Sequence, residues 1–476
     1  MNINDRQIGM IVERVVERLG KELGGPAPLA QAPPRQAPDA QGRGVFETVD
    51  QAATAARRAF EEWRECSLET RTRAVEAMRK VTLQHNEELS RMAVEETGLG
   101  RAADKIEKNI LAATRTPGPE ILKTWATSGD DGLTIMERAP YGIVGAITPG
   151  TNATETLINN GISMLSAGNS VIFNVHPTSR KVCNYHVSLM NQAVEAAGGP
   201  SNMMSSIHEP TIASAQALMT HAKVRLIAVT GGGAVVKAAM SSGKRAIAAG
   251  PGNPPVVVDE TADLNRAAEG IVRGASLDNN IICIAEKVLI AVNEIADALK
   301  REIKKRNVIE LSGKDIKRLE QLIITSDNHI NRAFIGKNPS VILGEIGIKV
   351  GDEVRLVLCE VDEKHPFVQH EQLMPVLPMV RAHNVDEAIE MARRVEHGYG
   401  HTAVMYSTNI EKMHKMARVC DTSIFVKNAP SVAGIGGGGE GYTSFTIASP
   451  TGEGLTTALS FSRERRCTLK EYFRIV

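Results

Sequence analysis

The chain has no excess of charge of either sign: 55 Lys and Arg residues balance 55 Asp and Glu over 476 residues. That balance excludes the broad electrostatic footprint of a nucleic-acid-binding protein or of one held on an anionic membrane. Cysteine is sparse. Cys66, Cys183, Cys283, Cys359, Cys420 and Cys467 are scattered without CxxC spacing, which argues against a disulfide framework or a structural zinc and for a reducing compartment. No apolar run approaches the roughly 18 residues of a membrane span. The stretch Met10-Ile11-Val12, bounded by Gly9 and Glu13, is too short for the core of a secretory signal. His365 and His370 bracket Pro366 and share no helical face, so no metal site is expected. What remains is a soluble intracellular protein whose 42% apolar content can fill two or three domain cores.

Residues 1–23 form a unit of their own. Ile8, Ile11, Val12, Val15 and Leu19 recur at helical spacing, and Asp5, Arg6, Glu13, Arg14, Glu17, Arg18 and Lys21 occupy the other face. The linker 24–44 carries Pro26, Pro28, Pro33, Pro34 and Pro38, a composition that favours extended coil. A short amphipathic helix held away from its domain must cover its stripe elsewhere. It docks on another protein, or it folds back onto its own body or a subunit neighbour.

From Val45 the pattern becomes globular. Ala52–Phe60 and Thr70–Gly98 read as amphipathic helices, and Leu133–Arg138 alternates like a strand. Ile143–Ile147, Gly168–Asn174, Val224–Val229 and Ala246–Ala249 are short apolar runs separated by helical stretches, the signature of an α/β domain with a mostly parallel sheet. A second α/β pattern runs from Val256 to about Ile435, and the tail from Tyr442 alternates. The expected organisation is a dinucleotide-binding domain over 45–254, with a strand segment at about 131–141 joining an oligomerisation arm. A catalytic domain follows over 255–441, and the arm itself spans 442–476.

Ligands of open α/β sheets lie beyond the C-terminal strand ends. Three turns fall there: Thr148–Asn152, Thr230–Gly233 and Gly250–Asn253. The glycine turn opens a helix, so its N–H groups are candidates for a pyrophosphate or simply make a tight turn. Asn152 either satisfies its own turn or donates to a developing oxyanion. Cys283 closes the Asn-rich turn Asp278-Asn279-Asn280-Ile281-Ile282, which can bring backbone N–H groups and a thiol to one point. On its own, a cysteine between Ile282 and Ile284 is more often a small buried hydrophobe.

Taken together, these stretches resemble the aldehyde dehydrogenase superfamily. Within it the similarity is to the coenzyme A-acylating propionaldehyde and acetaldehyde dehydrogenases of bacterial microcompartments. The matching segments are Glu137–Gly145, Thr148–Asn152, Asn279–Cys283, Pro450–Gly454, Arg465-Arg466-Cys467 and Phe473–Val476. The resemblance implies two Rossmann-like α/β domains, a β-rich oligomerisation arm and an encapsulation-type N-terminal helix. It implies Cys283 as the catalytic thiol and Asn152 as the oxyanion amide. Thr148, Pro149, His176, Thr230, Gly231 and Gly232 would line the cofactor site, with Glu371 holding the nicotinamide ribose. Only Glu371 and Pro375 of that last motif persist here.

Two departures matter. Where hydrolytic members carry a glutamate about 35 positions before the cysteine, this chain reads Ala248-Ala249-Gly250-Pro251. No base for water is evident there, which suits transfer of the acyl group to a thiol. The usual Lys-Pro-Ser-Glu reads His176-Pro177-Thr178-Ser179, so the acidic partner of an adenosine ribose is missing and the family alone favours NAD. The expected reaction turns a short-chain aldehyde, propionaldehyde first, with NAD and coenzyme A into acyl-CoA and NADH. It would occur in the lumen of a cytoplasmic microcompartment, in a homodimer or homotetramer tethered to a shell protein through residues 1–23. An acetaldehyde-specific enzyme, a hydrolytic aldehyde dehydrogenase and an inactive cargo tether are the alternatives. No His flanks Cys283, so a helix terminus or the charge of a bound nicotinamide is expected to favour its thiolate.

Overall fold

The computed structural model describes residues 43–475. The amphipathic helix expected at 1–23 and nearly all of the 24–44 linker lie outside the described residues.

The first sheet is assembled from short apolar strands. β1 (Val45–Phe46) leads into α1 (Val49–Glu65), whose start is fixed by a capping box between Thr48 and Gln51. The helical stretch expected over Thr70–Gly98 is two helices, α2 (Leu68–Gln84) and α3 (Asn86–Thr97), which divide at His85. There Asn86 turns inward and donates to the Ile106 carbonyl at 3.0 Å. α3 stops at Gly98, a left-handed residue at φ 68°. α4 (Ala102–Arg115) comes next, followed by β2 (Trp125–Gly129) and β3 (Gly132–Pro140). Then β4 (Ile143–Ile147), α5 (Ala153–Ser166), β5 (Ser170–Asn174), α6 (Arg180–Ala196) and β6 (Met204–Ile207) alternate. The series closes with α7 (Ile212–Thr220), β7 (Val224–Thr230), α8 (Gly233–Met240) and β8 (Arg245–Ala249). The strands pair in parallel in the order β1-β6-β5-β4-β7-β8. β4 and β5 are buried along their whole length, as strands covered by helices on both faces must be.

A second parallel sheet begins at β9 (Pro255–Val258), followed by α9 (Leu264–Ser276) and β10 (Val288–Val292). β11 (Val308–Leu311), β12 (Leu356–Glu360), β13 (Val376–Ala382), β14 (Thr402–Tyr406) and β15 (Ile424–Lys427) complete it, in the order β11-β12-β13-β10-β9-β14-β15. After the small hairpin of β16 (Ile447–Ala448) and β17 (Gly454–Leu455), β18 (Ser462–Lys470) returns to pair antiparallel with β3 from Pro140 to Gly132. β2 lies on the other side of β3. The residues of β18 after Ser462 are exposed, so this three-stranded ribbon projects from the body.

Asn169 fastens the ribbon to the first sheet. Its Oδ1 accepts from Tyr141 N at 2.8 Å and Gly142 N at 3.1 Å, and its Nδ2 donates to the carbonyls of Met164 and Phe461. All four partners are backbone groups, and Asn169 is fully buried. The Met164 carbonyl also accepts the backbone N–H of residue 169, so replacing Asn169 by Leu orphans the other three groups at about 1–3 kcal/mol each. Urea unfolding should therefore show a loss of several kcal/mol; a loss below that of one orphaned group contradicts the account.

Candidate active site

The three turns found in the sequence lie along one edge. They follow β4, β7 and β8, which are adjacent and parallel. Strand order reverses between β4 and β7, which opens the crevice where open α/β sheets take dinucleotides. Thr148 lies buried at its mouth, and its Oγ1 has no partner among the described residues. The turn packs tightly on the next loop: a Cβ added at Gly150 would lie 2.9 Å from Thr178 Oγ1 and 3.2 Å from His176 Nδ1. Thr148, Pro149 and His176 are thus brought together. His176 pairs its Nδ1 with Thr178 Oγ1 at 2.8 Å, and burial, then Arg332, holds its pKa below the usual value.

Across the crevice, Thr230 Oγ1 is tied to Thr446 Oγ1 at 3.0 Å. Gly231 departs from the expectation of free turn donors, because its N–H already donates to the Ala249 carbonyl at 3.1 Å. It shapes the turn instead. Gly232 and Gly233 face open space, with nothing within 4 Å of where a side chain would stand, and α8 begins there. An unpaired threonine hydroxyl opposite open backbone at a helix start fits a dinucleotide phosphate.

The second sheet faces this crevice with its opposite edge. Cys283 precedes β10, Glu371 precedes β13, Gly252 precedes β9 and His401 precedes β14, and these strands are consecutive in the sheet. Gly252 is the point of contact. Its N–H donates to Glu371 Oε1 at 3.4 Å, and a Cβ there would fall 2.9 Å from His401 Cγ and 3.1 Å from the Cys283 carbonyl. No side chain larger than hydrogen fits between the thiol loop and the imidazole.

The thiol loop is built from strained backbone. Asp278, Asn279 and Asn280 all lie in the left-handed region, at φ 48°, 53° and 66°. Among residues with a side chain, Asp and Asn tolerate it best. Each is held by its side chain. Asp278 Oδ1 accepts from Arg101 N at 2.7 Å, Asn279 donates to the Gly336 carbonyl at 2.9 Å, and Asn280 donates to the carbonyls of Ala275 and Glu286. Lys287 Nζ closes the loop from below on the carbonyls of Asn280 and Ile282 at 3.0 and 3.1 Å.

Asn152 reaches the loop from the start of α5. Its Oδ1 accepts from Lys108 Nζ at 2.6 Å, while its Nδ2 makes only long contacts, 3.5 Å to the Ile281 carbonyl and 3.4 Å to Thr151 Oγ1. The amide therefore presents its donor toward the cysteine loop with little to hold it. Cys283 keeps a partly exposed surface. Burial, with the Glu371 charge adding to it, pushes the thiol up to about 12, against the opposing pull of Lys287 and the N–H groups of Cys283 and Ile284. Burial likewise raises Glu371 to about 7 and lowers Lys287 to about 8 and His401 to about 4. His401 Nδ1 pairs with Thr402 Oγ1 at 2.9 Å, and its Nε2 is buried with no partner among the described residues.

Sequence reasoning missed Lys105, Lys108, Lys287 and His401. A signal existed for two of them. On α4 the buried positions are Lys105, Lys108, Asn109, Ala112 and Ala113, so both lysines occupy the apolar stripe of a helix, where a lysine needs a buried partner. His401 gave none, because 118 residues separate it from Cys283. No histidine adjoins Cys283 along the chain; in space His401 and the Cys283 carbonyl both border Gly252.

A model of the aldehyde dehydrogenase family matches residues 40–321 and 354–453. The chain belongs to that family. Among aldehyde dehydrogenases it is 48% identical over 439 residues to the acetylating acetaldehyde dehydrogenase of Salmonella typhimurium, covering 91% of this chain and 94% of the relative. It is 44% identical over 444 residues to the CoA-propanoylating propanal dehydrogenase of the same organism, covering 93% and 96%. The structure of a Rhodopseudomonas palustris propionaldehyde dehydrogenase with bound CoA and an acylated cysteine superposes with a TM-score of 0.90 at 49% identity, covering 91% of this chain and 99% of that one. A propionaldehyde dehydrogenase from the Clostridium phytofermentans fucose utilisation bacterial microcompartment superposes equally well, TM-score 0.90 at 46% identity, covering 91% and 100%. Both sheets and the ribbon are the aldehyde dehydrogenase fold.

In this aldehyde dehydrogenase a resting thiol with its pKa near 12 reacts only through its small ionised fraction. Without nucleotide, alkylation of Cys283 by iodoacetamide should climb from about pH 7 to 9 without a plateau, with Lys287→Met slower at pH 7, where Lys287 is charged, and the gap closing toward pH 9. A plateau already reached at pH 8 contradicts this.

Proposed function

We propose that the chain is a CoA-acylating aldehyde dehydrogenase that oxidises a short-chain aldehyde with NAD on Cys283 and delivers the acyl group to coenzyme A. What supports this reading is that the Asn152 amide and the neutral His401 imidazole both border the Cys283 loop, beside a crevice suited to a dinucleotide. The turn that carries the water-activating glutamate of hydrolytic members here offers only Ala248, Ala249 and Gly250.

The Cys283 thiolate, favoured by Lys287 and by the loop N–H groups, attacks the aldehyde carbon. The oxyanion that forms is held by Asn152 Nδ2 and the Cys283 N–H, a pairing whose loss typically costs about 10²–10³ in rate per donor. Thr148, Pro149, His176, Thr230, Gly232 and Glu371 would hold NAD, with Gly231 shaping the turn. NAD, when bound, supplies the acceptor for the hydride that leaves the thiohemiacetal carbon. Cys283 is then a thioester. The coenzyme A thiol attacks it, and the neutral His401 takes the thiol proton on Nε2 and returns it to Cys283 as the acyl group departs. Burial keeps that imidazole neutral, as an acceptor must be.

Glu371 favours a second reading, in which its carboxylate delivers water and the product is a free acid. The two separate cleanly. With coenzyme A withheld, acyl transfer gives a burst of one NADH per site and then stops; continued NADH and free acid establish hydrolysis. Cys283→Ala should abolish the burst. His401→Ala should keep the burst and slow the CoA-dependent steady state.

Acyl chain length is the finer question. Relatives acting on acetaldehyde and on propanal are about equally similar, and one methylene in an apolar pocket is worth only about 1–3 kcal/mol. Propionaldehyde is the first substrate to assay.

The exposed ribbon, with Trp125 and Leu469 each 51% exposed, is the surface for a homodimer or homotetramer. Residues 1–23 would tether the enzyme to a microcompartment shell protein. Deleting residues 1–44 should leave NADH formation largely intact and abolish co-sedimentation with shells; co-sedimentation that survives the deletion refutes the tether.

A further inference from the structure

We infer that Lys108 is a positioning residue that aims and polarises the Asn152 amide, acting through a four-residue charge cluster buried behind the thiol loop. The inference rests on Asn152 being the oxyanion donor.

The cluster is closed off from the surface. Lys105, Lys108, Asp278 and Glu155 are each 0% or 1% exposed. Lys108 Nζ donates to Asn152 Oδ1 at 2.6 Å and forms ion pairs with Asp278 Oδ2 at 2.5 Å and Glu155 Oε1 at 3.0 Å. Lys105 Nζ makes the second bond to Asp278 Oδ2 at 2.9 Å and another to the Thr151 carbonyl at 3.2 Å. Two cations and two anions balance. Burial alone would lower the Lys108 ammonium and raise the Asp278 carboxyl. The facing charges outweigh burial, so Lys108 is held above and Asp278 below its usual range. Both stay charged at neutral pH.

Stability does not require this arrangement. A buried charge set is often no better than packed hydrocarbon of the same volume. What it supplies is direction. A primary amide can turn over and present either end, and the environment of its oxygen decides which. Here the oxygen faces an ammonium at 2.6 Å, so the flipped amide would set its NH₂ against a cation. The same bond draws electron density to Oδ1 and makes Nδ2–H a better donor toward the Ile281–Cys283 side, where it is held only by long contacts. Through Asp278 the same ammonium grips the left-handed residue that begins the thiol loop. Gly100 makes room for that grip, since a Cβ there would lie 1.9 Å from Asp278 Oδ1. One side chain therefore sets donor and nucleophile relative to each other.

The test is a double-mutant cycle on the intact enzyme, with kcat for aldehyde-dependent NADH formation, KM and iodoacetamide alkylation of Cys283 as readouts. Asn152→Ala should lower kcat by about 10²–10³. Lys108→Met should lower kcat by a similar factor with KM little changed, and should cost almost nothing further in the Asn152→Ala background. Alkylation should stay near the wild-type rate, because Lys105, Arg101 N and Asp104 still hold Asp278 and with it the thiol loop. A full loss from Asn152→Ala with none from Lys108→Met overturns the positioning role. No loss from Asn152→Ala overturns the oxyanion assignment beneath it. Additive losses, or turnover and alkylation falling together, would make Lys108 purely structural and overturn the inference. Should Lys108→Met fail to fold, Lys108→Gln with Glu155→Gln removes one charge of each sign and keeps hydrogen bonding. Its kcat should fall while alkylation is retained, and wild-type kcat overturns the inference.

Discussion

The structure around Cys283 depends on keeping one aspartate charged where no water reaches it. Asp278 sits fully buried in a left-handed conformation, a backbone state that costs free energy unless the surroundings over-determine it. They do: α4 supplies Arg101 N, Lys105 and Lys108 to its carboxylate, and Asp104 accepts its N–H at 2.7 Å. Two further left-handed residues follow, so the chain reverses within a few positions and the thiol emerges at the loop's end. The charge on Asp278 thus joins the helix to the loop, beside the bonds that Asp104 and Arg101 make to Asp278 N and Asn279 Oδ1.

Around the thiol the electrostatics run the other way. Cys283 and Glu371 are raised by burial, and Lys287 and His401 are lowered, so each moves toward its neutral form. The reacting edge is thus a region of suppressed charge beside a cluster of fixed charge. That division suits the chemistry. In the proposed reaction, charge appearing at the thiohemiacetal oxygen would meet oriented dipoles that need not reorganise, and the imidazole would accept a proton from an incoming thiol.

The two sheets combine in a way that general rules capture only by half. The first offers the C-terminal ends of its strands to the crevice, as open parallel sheets do. The second offers N-terminal ends, with Gly252, Cys283, Glu371 and His401 one step ahead of β9, β10, β13 and β14. A search of the sequence that looks only after strands finds Thr148, Asn152 and Thr230. It passes over His401, and it finds Cys283 through its Asn-rich turn and Glu371 through family likeness alone.

By itself the sequence determined the alternating α/β order, because buried parallel strands read as short apolar runs such as Ile143–Ile147. It also determined the three turns, because glycine, proline and asparagine mark the strand ends, and it singled out the turn before Cys283, because Asp278-Asn279-Asn280 is a polar run that breaks an apolar pattern. Only the tertiary structure decided which donors were free: Gly231 spends its N–H on Ala249, a pairing between strands that no local pattern records. Only it brought Lys108 to Asn152 and His401 to the Cys283 loop. Helix periodicity says that Lys108 faces inward, but which carboxylate meets it depends on how three separate segments pack, and packing is a property of distance in space rather than of position along the chain.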